Sequence, residues 1–360
     1  MPDGMDCGNQ VRRGRGAVSN PVGRFEAFSA ESFDDGWASA GVALELPAPP
    51  TEFSEDRSRT ALTYNTSPDL GFDRSINPYR GCEHGCVYCY ARPSHAYLGL
   101  SPGLDFETQI RYKPDVAEQL ERELGKPGYV PKPIQLGANT DPYQPVERTL
   151  HLTREVLEVL DRFGHPVSIV TKGAGVLRDI DILRRMAERR LVRVWLSITT
   201  LDSTLARRME PRAAAPGRRL QAVAALERAG VPTGVLAAPM IPGLNDAELE
   251  RILGAARESG ARYAAFVLLR LPLEVRDLFT AWLNQHFPDR ARHVLALVRE
   301  TRAGQLNDPR FGTRFRGTGA YAELLSQRFA VAVRRLGFEA RKELALEHFI
   351  GAQPAQLSLF

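Results

Sequence analysis

The chain contains, from residue 81 to residue 90, the sequence Gly81-Cys82-Glu83-His84-Gly85-Cys86-Val87-Tyr88-Cys89-Tyr90. Its three cysteines are spaced C-x3-C-x2-C, and one further cysteine, Cys7, is present in the 360 residues. A loop this short can turn three thiolates towards one centre, and three thiolates on a four-iron cluster leave one iron without a protein ligand. Chemistry can occur at such an open iron. The spacing therefore predicts an iron–sulfur cluster held by Cys82, Cys86 and Cys89.

Two other uses of these cysteines compete with the cluster. One is a disulfide with a spare thiol, and the other is a zinc site of three cysteines completed by His84 or His95. Disulfides are rare in a reducing cytosol, where we place a chain of this length with four cysteines and no signal peptide. Zinc sites normally bring their ligands as two pairs, and the sequence has no second C-x2-C or H-x3-H pair. The spacing favours the cluster, and we expect Cys7 to be a bystander.

Composition narrows the class of protein. A chain of 360 residues with 43% apolar content can bury one large core with appendages. The net charge is +4, and nearly all of the basic residues are arginines, which suit phosphate recognition. A genome rich in G and C would produce the same bias, so the charge permits a nucleic-acid partner without proving one. No apolar stretch resembles a membrane span, and we expect a cytoplasmic, nucleoid-associated monomer with no membrane partner.

The periodicity of apolar residues divides the chain into four parts. We expect an extended or partly disordered leader over residues 1–70, a main domain over 71–300, a basic hairpin with a helix over 301–350, and a flexible tail over 351–360. Buried strands are predicted at 74–78, 134–138, 167–172, 192–200, 234–241 and 262–270. Helices are predicted at 150–163, 179–190, 218–229, 246–259 and 322–336.

Six β–α units in succession indicate parallel strands with right-handed crossovers. Because six units are too few for a closed eightfold barrel, we predict an α/β fold with a partial (βα)6 TIM-like barrel. The functional site is then expected at the carboxyl ends of the strands.

The cysteine loop resembles that of the radical S-adenosylmethionine (SAM) enzymes. The resemblance implies a 4Fe-4S cluster whose open iron is chelated by the amino and carboxylate groups of S-adenosylmethionine. It also implies reductive cleavage of this cofactor to a 5′-deoxyadenosyl radical, in a partial barrel of the kind predicted from the six β–α units.

Polar residues after the predicted strands match the cofactor site of this family. Asn139, Thr140 and Asp141 match the acceptors of the methionine amino group, while Glu210 and Arg212 match the ribose acceptor and the carboxylate partner. The hydroxyls of the fourth strand could instead be satisfied by backbone groups. The full set expected to bind the cofactor is Tyr88, Asn139, Thr140, Asp141, Thr171, Lys172, Ser197, Thr199, Glu210, Arg212 and Met240.

The flanks of the loop, at residues 77–82 and 87–90, resemble the spore photoproduct lyase group, whose members act on thymine lesions in DNA. The resemblance covers about residues 72 to 340. Tyr88 and Tyr90 match tyrosines that relay a hydrogen atom in the lyases, which makes them the expected catalytic residues. Many lyases also use a cysteine inside the barrel as hydrogen donor, but this chain has no cysteine after Cys89. Either a tyrosine donates directly or the substrate is a different lesion or modification.

The segment from residue 310 to residue 321 is basic and aromatic, with glycines spaced for a hairpin. In the lyase group a C-terminal hairpin inserts beside the flipped lesion, where arginines hold phosphates and an aromatic ring fills the vacated stack. An ordinary solvated turn is the alternative. The expected DNA-binding residues are Arg310, Arg314, Phe315, Arg316 and Tyr321.

The chain ends in Gln356-Leu357-Ser358-Leu359-Phe360, which resembles the short peptide by which bacterial polymerases and repair proteins bind the sliding clamp. Gln356 can bond at a pocket rim, while Leu357, Leu359 and Phe360 offer apolar surface. A chance apolar terminus or a tail folded onto its own domain is the alternative.

Together these features favour a radical SAM enzyme that repairs a damaged DNA base and is recruited by the sliding clamp. Such an enzyme would need an electron donor such as flavodoxin or ferredoxin. Radical modification of RNA or protein is one alternative. A non-catalytic iron–sulfur sensor associated with DNA is another.

Overall fold

The computed structural model describes residues 14–26 and 49–351, so Cys7 and the clamp-like residues Gln356, Leu357, Leu359 and Phe360 lie outside the described residues. The strands are β1 Glu52–Glu55, β2 Leu62–Tyr64, β3 Arg74–Ile76, β4 Tyr79–Arg80, β5 Gln109–Tyr112, β6 Ile134–Leu136, β7 Val167–Thr171, β8 Val192–Ser197, β9 Thr233–Met240 and β10 Tyr263–Leu268. The α-helices are α1 Asp105–Thr108, α2 Val116–Leu124, α3 Glu147–Leu150, α4 Leu152–Arg162, α5 Ile180–Glu188, α6 Ser203–Met209, α7 Pro216–Arg228, α8 Leu249–Glu258, α9 Val275–His286, α10 Pro288–Glu300 and α11 Ala320–Leu336. None of these helices is long and apolar enough to cross a lipid bilayer.

The main sheet has seven strands in the order β10-β9-β8-β7-β6-β3-β2. All neighbouring pairs are parallel except β2 with β3. The six parallel strands are the six predicted from the sequence, and they follow one another in chain order. In the described part of the chain no strand pairing joins β10 to the opposite edge. The α/β class with a parallel sheet is therefore confirmed.

Apolar residues on strands and helices form the core between the sheet and its helices. Every residue of β8 is buried, and α4 buries Leu152, Val156, Leu157 and Leu160, which recur at helical spacing. Alternate residues of β7 are fully buried. Parallel strands that are covered by helices are near-continuous apolar runs in the sequence, so these strands could be recognised there.

Of the expected leader over residues 1–70, the structure describes residues 14–26 and 49–70, which include the two short strands β1 and β2. Strand β1 pairs in parallel with β5, which also pairs with β4 in a second, small sheet, and β2 adds an antiparallel edge to the main sheet. Ala17 and Val18 are buried. The side chains of β1 are all exposed. Backbone hydrogen bonds rather than a periodic apolar pattern hold β1 and β2 in place. The composition of the sequence therefore did not reveal these strands.

The hairpin expected between Arg310 and Tyr321 is absent, because residues 311–316 form consecutive turns without a strand. The buried Arg302 explains this difference. Its guanidinium donates to the carbonyls of Thr313 and Arg314 and also to those of Leu268 and Leu269. The carbonyl groups that a hairpin would pair are thus bonded to an arginine, which fastens the segment to the end of β10.

After α11 the chain returns along the amino-terminal edge of the main sheet. Backbone N–H groups of Glu339, Ala345 and Ile350 donate to carbonyls just before β10, β8 and β7, at 2.8, 3.0 and 2.9 Å. The described part ends at residue 351, at the opposite end of the sheet from the cysteine loop.

Candidate active site

The three cysteines lie in a loop that follows β4. The Gly85 N–H donates to the Cys82 carbonyl at 3.3 Å, and the Cys89 N–H donates to the Cys86 carbonyl at 3.2 Å, so two turns shape the loop. Gly85 has φ of 67°, a conformation that glycine adopts without strain. A Cβ there would also lie 2.7 Å from Glu107 Oε2. Close packing as well as the turn therefore requires glycine at this position.

A buried ion pair between Arg92 and Glu107 supports the loop from behind. Arg92 also donates to the Gly85 carbonyl at 3.2 Å. The Glu107 carboxylate accepts hydrogen bonds from the backbone N–H groups of Gly16 and Ala17, at 2.9 and 2.8 Å. A Cβ on Gly16 would lie 1.7 Å from the Gly85 carbonyl oxygen. The ion pair thus joins the cysteine loop to residues 14–26, which we call the N-terminal segment.

Two of the three thiols are shielded from water. Cys82 and Cys86 are buried, Cys89 is half-buried, and none of the three forms a disulfide. Burial raises the pKa of Cys86 to about 12, and the neighbouring Lys172 acts in the opposite direction. Burial also raises the pKa of Cys82, and charge on Asp141 or the other two thiols raises it further. Because ligand thiols must be deprotonated, a bound metal is what would ionise them.

The three cysteines could hold a four-iron cluster, whose thiolate ligands bind separate irons. Among residues 14–26 and 49–351, no three His, Cys, Asp or Glu side chains converge as they would on a single ion. His95, considered as a zinc ligand, is fully buried with its ring edge against Phe106 at 5.6 Å. Burial lowers the pKa of His95 to about 4.

Asp141 links β6, β7 and the cysteine loop. Its carboxylate accepts hydrogen bonds from Thr171 Oγ1 at 2.6 Å and from the Lys172 N–H at 2.7 Å, and it lies 3.2 Å from His84 Nδ1. Burial alone raises the pKa of Asp141, but His84 and these hydrogen bonds hold it well below its usual range. Asp141 is therefore ionised, and it fixes the end of β7 to the loop.

Glu210 is a buried anion surrounded by donors. Its Oε1 atom accepts hydrogen bonds from the hydroxyls of Tyr88 and Thr199, and its Oε2 atom pairs with Arg219. Burial alone raises the pKa of Glu210, but Arg219 and Lys172 outweigh burial and lower it to about 2. A carboxylate offers about four acceptor positions. One acceptor position on Oε2 is therefore not used by the described side chains.

Lys172 supplies a positive charge beside the cysteines. Its Nζ atom lies 5.7 Å from the centre of the Tyr88 ring and has no hydrogen-bond acceptor among the described side chains. Burial alone lowers the pKa of Lys172, but Cys86 and Glu210 outweigh burial and raise it. An ammonium group in this state can bind a carboxylate ligand.

The remaining residues expected at the cofactor site have partners within the protein. The hydrogen bonds are Asn139 Nδ2 to Ser94 Oγ at 3.2 Å, Thr140 Oγ1 to the Tyr79 carbonyl at 3.0 Å and Ser197 Oγ to the Ala238 carbonyl at 3.1 Å. Met240 is fully buried at the end of β9.

Arg212 lies on the outer face of the cysteine loop. It donates to Glu83 at 2.8 Å and to Thr51 at 3.2 Å. With His84, Arg148, Arg178 and Arg218 it lines a cavity of about 480 Å³. Arg212 is thus engaged by the loop rather than by the hydrogen-bond network around Glu210.

The two tyrosines beside Cys89 have different surroundings. Tyr88 is buried against Glu210, whereas Tyr90 is 51% exposed and its hydroxyl donates to the Ala138 carbonyl just after β6. The guanidinium carbon of Arg270 lies 6.0 Å from the centre of the Tyr90 ring. Tyr88 therefore faces the interior of the site, and Tyr90 lies at its rim.

Aromatic rings and guanidinium groups alternate outwards from Tyr90. Arg270 also lies 4.8 Å from the Phe315 ring, and Arg314 lies 4.8 and 4.9 Å from the rings of Phe315 and Phe311. Phe311 is 61% exposed. We call these five side chains, Tyr90, Arg270, Phe315, Arg314 and Phe311, the aromatic–arginine row.

Three of the five residues expected to bind DNA are engaged within the protein, through the pairs Arg310–Asp308, Arg314–Asp69 and Tyr321–Asp246. Phe315 belongs to the aromatic–arginine row, and Arg316 is exposed.

Sequence reasoning missed Arg92, Glu107, Arg219 and Arg270. The first three act through buried ion pairs between separate elements, for which no local pattern exists. Arg270 could have been found, because it is the last residue of the predicted strand 262–270 and the carboxyl ends of the strands carry the site.

Comparison with known proteins finds a family model that matches this chain and solved structures that share its fold. The family model of the Radical SAM superfamily matches residues 76–256. An uncharacterized protein of Mycobacterium tuberculosis is 36% identical over 267 residues, which cover 72% of this chain and 78% of that protein. An uncharacterized protein of Methanocaldococcus jannaschii is 28% identical over 215 residues, which cover 59% of this chain and 76% of that protein.

Among solved structures, a spore photoproduct lyase variant with bound AdoMet and dinucleoside spore photoproduct superimposes with a TM-score of 0.56. The match covers 79% of this chain and 78% of the lyase at 17% identity, so it shows a shared fold.

Proposed function

The chain belongs to the radical SAM superfamily, and we propose that its radical chemistry acts on a damaged base in DNA. The family implies a 4Fe-4S cluster and S-adenosylmethionine, which supply a 5′-deoxyadenosyl radical when bound. Cys82, Cys86 and Cys89 hold the cluster in this proposal. The burial of Cys82 and Cys86 and the absence of a disulfide among the three thiols support that role.

The residues around Glu210 would orient the cofactor. The free ammonium group of Lys172 binds its carboxylate, and the open acceptor position on Glu210 takes a ribose hydroxyl. Asp141 acts indirectly, because it accepts the Lys172 N–H and fixes that residue in place. Asn139 and Thr140 remain the candidates for the amino group.

The observation that carries the DNA proposal is the aromatic–arginine row. Bases turned out of a duplex stack on aromatic rings and guanidinium planes. The row begins at Tyr90, next to Cys89, and reaches the exposed Phe311. The shared fold with a lyase solved with a dinucleoside photoproduct supports the same class of substrate.

Hydrogen transfer is assigned to Tyr88 and Tyr90. Tyr90 lies at the start of the aromatic–arginine row, where a stacked base would contact it. Tyr88 lies two residues earlier in the cysteine loop and faces the interior of the site. No cysteine follows Cys89 in the sequence, so a phenol takes the place of the cysteine donor of the lyases.

Delivery to DNA is assigned to the C-terminal peptide. Residues 339–350 run along the amino-terminal edge of the sheet, so residue 351, the last described residue before this peptide, lies at the end opposite the cysteines. A sliding clamp bound there through Gln356, Leu357, Leu359 and Phe360 would leave the site open to DNA. In this proposal the enzyme works as a monomer in the nucleoid and receives electrons from a flavodoxin or a ferredoxin.

Mass spectrometry of nucleosides from ultraviolet-irradiated cells tests this function. A strain lacking the gene should accumulate a base lesion in DNA that its parent removes. Complementation with the wild-type gene should restore removal, whereas complementation with Cys86→Ala should not. A change confined to RNA or to a protein, or no change, would overturn the proposal.

A further inference from the structure

Arg270 has no carboxylate partner among the described residues. It follows β10 by two residues, and its Nε atom is buried without a hydrogen-bond acceptor. Its guanidinium lies against the rings of Tyr90 and Phe315. Burial lowers the pKa of Arg270, and the nearby Arg314 lowers it further. An unpaired buried donor is unfavourable, so this arrangement is expected where a ligand completes it.

The neighbouring arginines differ from Arg270 because their charges or donors are already used. Arg314 forms an ion pair with Asp69. Arg302 is buried and donates to backbone carbonyls at the end of β10. Arg270 is therefore available to an incoming anion.

We propose that Arg270 binds a backbone phosphate of the nucleic acid whose bases stack along the aromatic–arginine row. The rings of Tyr90 and Phe315 lie against the guanidinium, which leaves its N–H edge for the ligand. Arginine suits this role because its planar fork donates two parallel hydrogen bonds to a phosphate. The assignment rests on the proposed function, since it presumes a nucleic-acid substrate.

The position of Arg270 favours a phosphate of the nucleic acid, rather than the carboxylate of the cofactor, as its ligand. Lys172 is a separate cation next to Tyr88, Cys86 and Glu210, inside the site. Arg270 lies on the Tyr90 side, in a row that ends at the exposed Phe311. An anion that approaches from solvent along this row meets Arg270 and not Lys172.

Binding of a fluorescent single-stranded thymidine pentanucleotide to the full-length, anaerobically reconstituted protein tests the assignment. Arg270→Gln should weaken binding at least about tenfold, as expected for a lost charge-assisted hydrogen bond. The slope of log K against log salt should become shallower by about 0.7, the value for one phosphate contact on a single strand. The matched control is Arg228→Gln, which removes an exposed arginine at the end of α7 and should leave both quantities unchanged.

A second probe carries uncharged methylphosphonate linkages. Wild type and Arg270→Gln should bind this probe equally, and both should keep the cluster absorbance and the affinity for S-adenosylmethionine. If Arg270→Gln binds the charged probe as tightly as wild type, or loses affinity for S-adenosylmethionine instead, the assignment fails while the proposed function stands. If the wild-type protein binds no oligonucleotide, both fail.

Discussion

At the scale of single residues, the site depends on buried charges whose partners lie on other elements. Glu210 follows α6, Arg219 lies on α7, and Lys172 follows β7, yet the three groups meet beneath the cysteine loop. Such a cluster is stable only when each charge is matched, because an uncompensated buried ion is costly. The chemistry and the stability of this site therefore depend on the same residues.

Replacing the carboxylate of Glu210 should destabilise the protein. Glu210→Gln leaves Arg219 and Lys172 without their anion, so the free energy of unfolding at neutral pH should fall by about 3–5 kcal/mol. Urea denaturation measures this change. As a control, Glu188→Gln removes an exposed carboxylate paired with Arg184 and should change stability by less than about 1 kcal/mol.

The same variant has a defined pH dependence. The pKa of Glu210 is lowered from 4.5 to about 2 in the folded state, so its contribution is fully present above pH 4.5 and is lost as the pH falls towards 2. The stability gap between wild type and Glu210→Gln should therefore be constant from about pH 7 to about pH 4.5 and narrow from about pH 4.5 to about pH 3.5. A constant gap over that range would argue against an ionised Glu210.

The hydroxyls of Tyr88 and Tyr90 should be needed for product formation but not for cofactor cleavage. In the proposed relay, Tyr88→Phe and Tyr90→Phe keep the ring and lose only the hydroxyl, so both variants should retain the cluster and cofactor cleavage but yield less product per cleavage. The ratio of 5′-deoxyadenosine to DNA product measures this uncoupling. Unchanged ratios in both variants would remove the tyrosines from hydrogen transfer.

At the scale of elements, the strands and helices of the barrel could be predicted, whereas the segments that enclose the site could not. The predicted strand at 192–200 became β8, and the predicted helix at 179–190 became α5, because their apolar residues follow the period of the element. The N-terminal segment around Gly16 is held by backbone hydrogen bonds to the distant Glu107, which leave no periodic signal. The turns at 311–316 are likewise held by hydrogen bonds between a side chain, that of Arg302, and backbone carbonyls, which leave no periodic signal.

The packing of the N-terminal segment makes a prediction about the cluster. A Cβ at Gly16 would lie 1.7 Å from a backbone oxygen of the loop, so Gly16→Ala should displace the segment. The rate at which a chelator removes iron should then rise. Gly254→Ala, on α8 with no atom within 4 Å of the added carbon, should leave that rate unchanged. Equal rates in both variants would show that the segment does not protect the cluster.

At the scale of the whole molecule, the cysteine loop and residues 339–350 lie at opposite ends of the sheet. The cysteine loop and the aromatic–arginine row lie at the carboxyl ends of the strands, while residues 339–350 follow the amino-terminal edge. This separation permits a tether at one end and chemistry at the other. The cysteine motif could be recognised in the sequence, but the position of residues 339–350 relative to it depends on contacts between residues distant in the chain.

The C-terminal tail should behave as a separate module. Deleting residues 356–360 should weaken binding to the bacterial sliding clamp by a few kcal/mol, roughly what two buried apolar side chains supply. Activity on short oligonucleotides should not change, because the barrel is untouched. Ser358→Ala is the matched control and should bind the clamp normally. Clamp binding that survives the deletion would show that the resemblance is accidental.

Deuterium tracing tests the central claim, radical chemistry on DNA, most directly. The reconstituted protein is incubated without oxygen with dithionite, S-adenosylmethionine and perdeuterated, ultraviolet-irradiated DNA, with Cys86→Ala as the inactive control. The account predicts that deuterium appears in 5′-deoxyadenosine or in recovered S-adenosylmethionine with the wild-type protein alone. Cofactor cleavage without deuterium transfer from DNA, accompanied by transfer from deuterated RNA or protein, would contradict it.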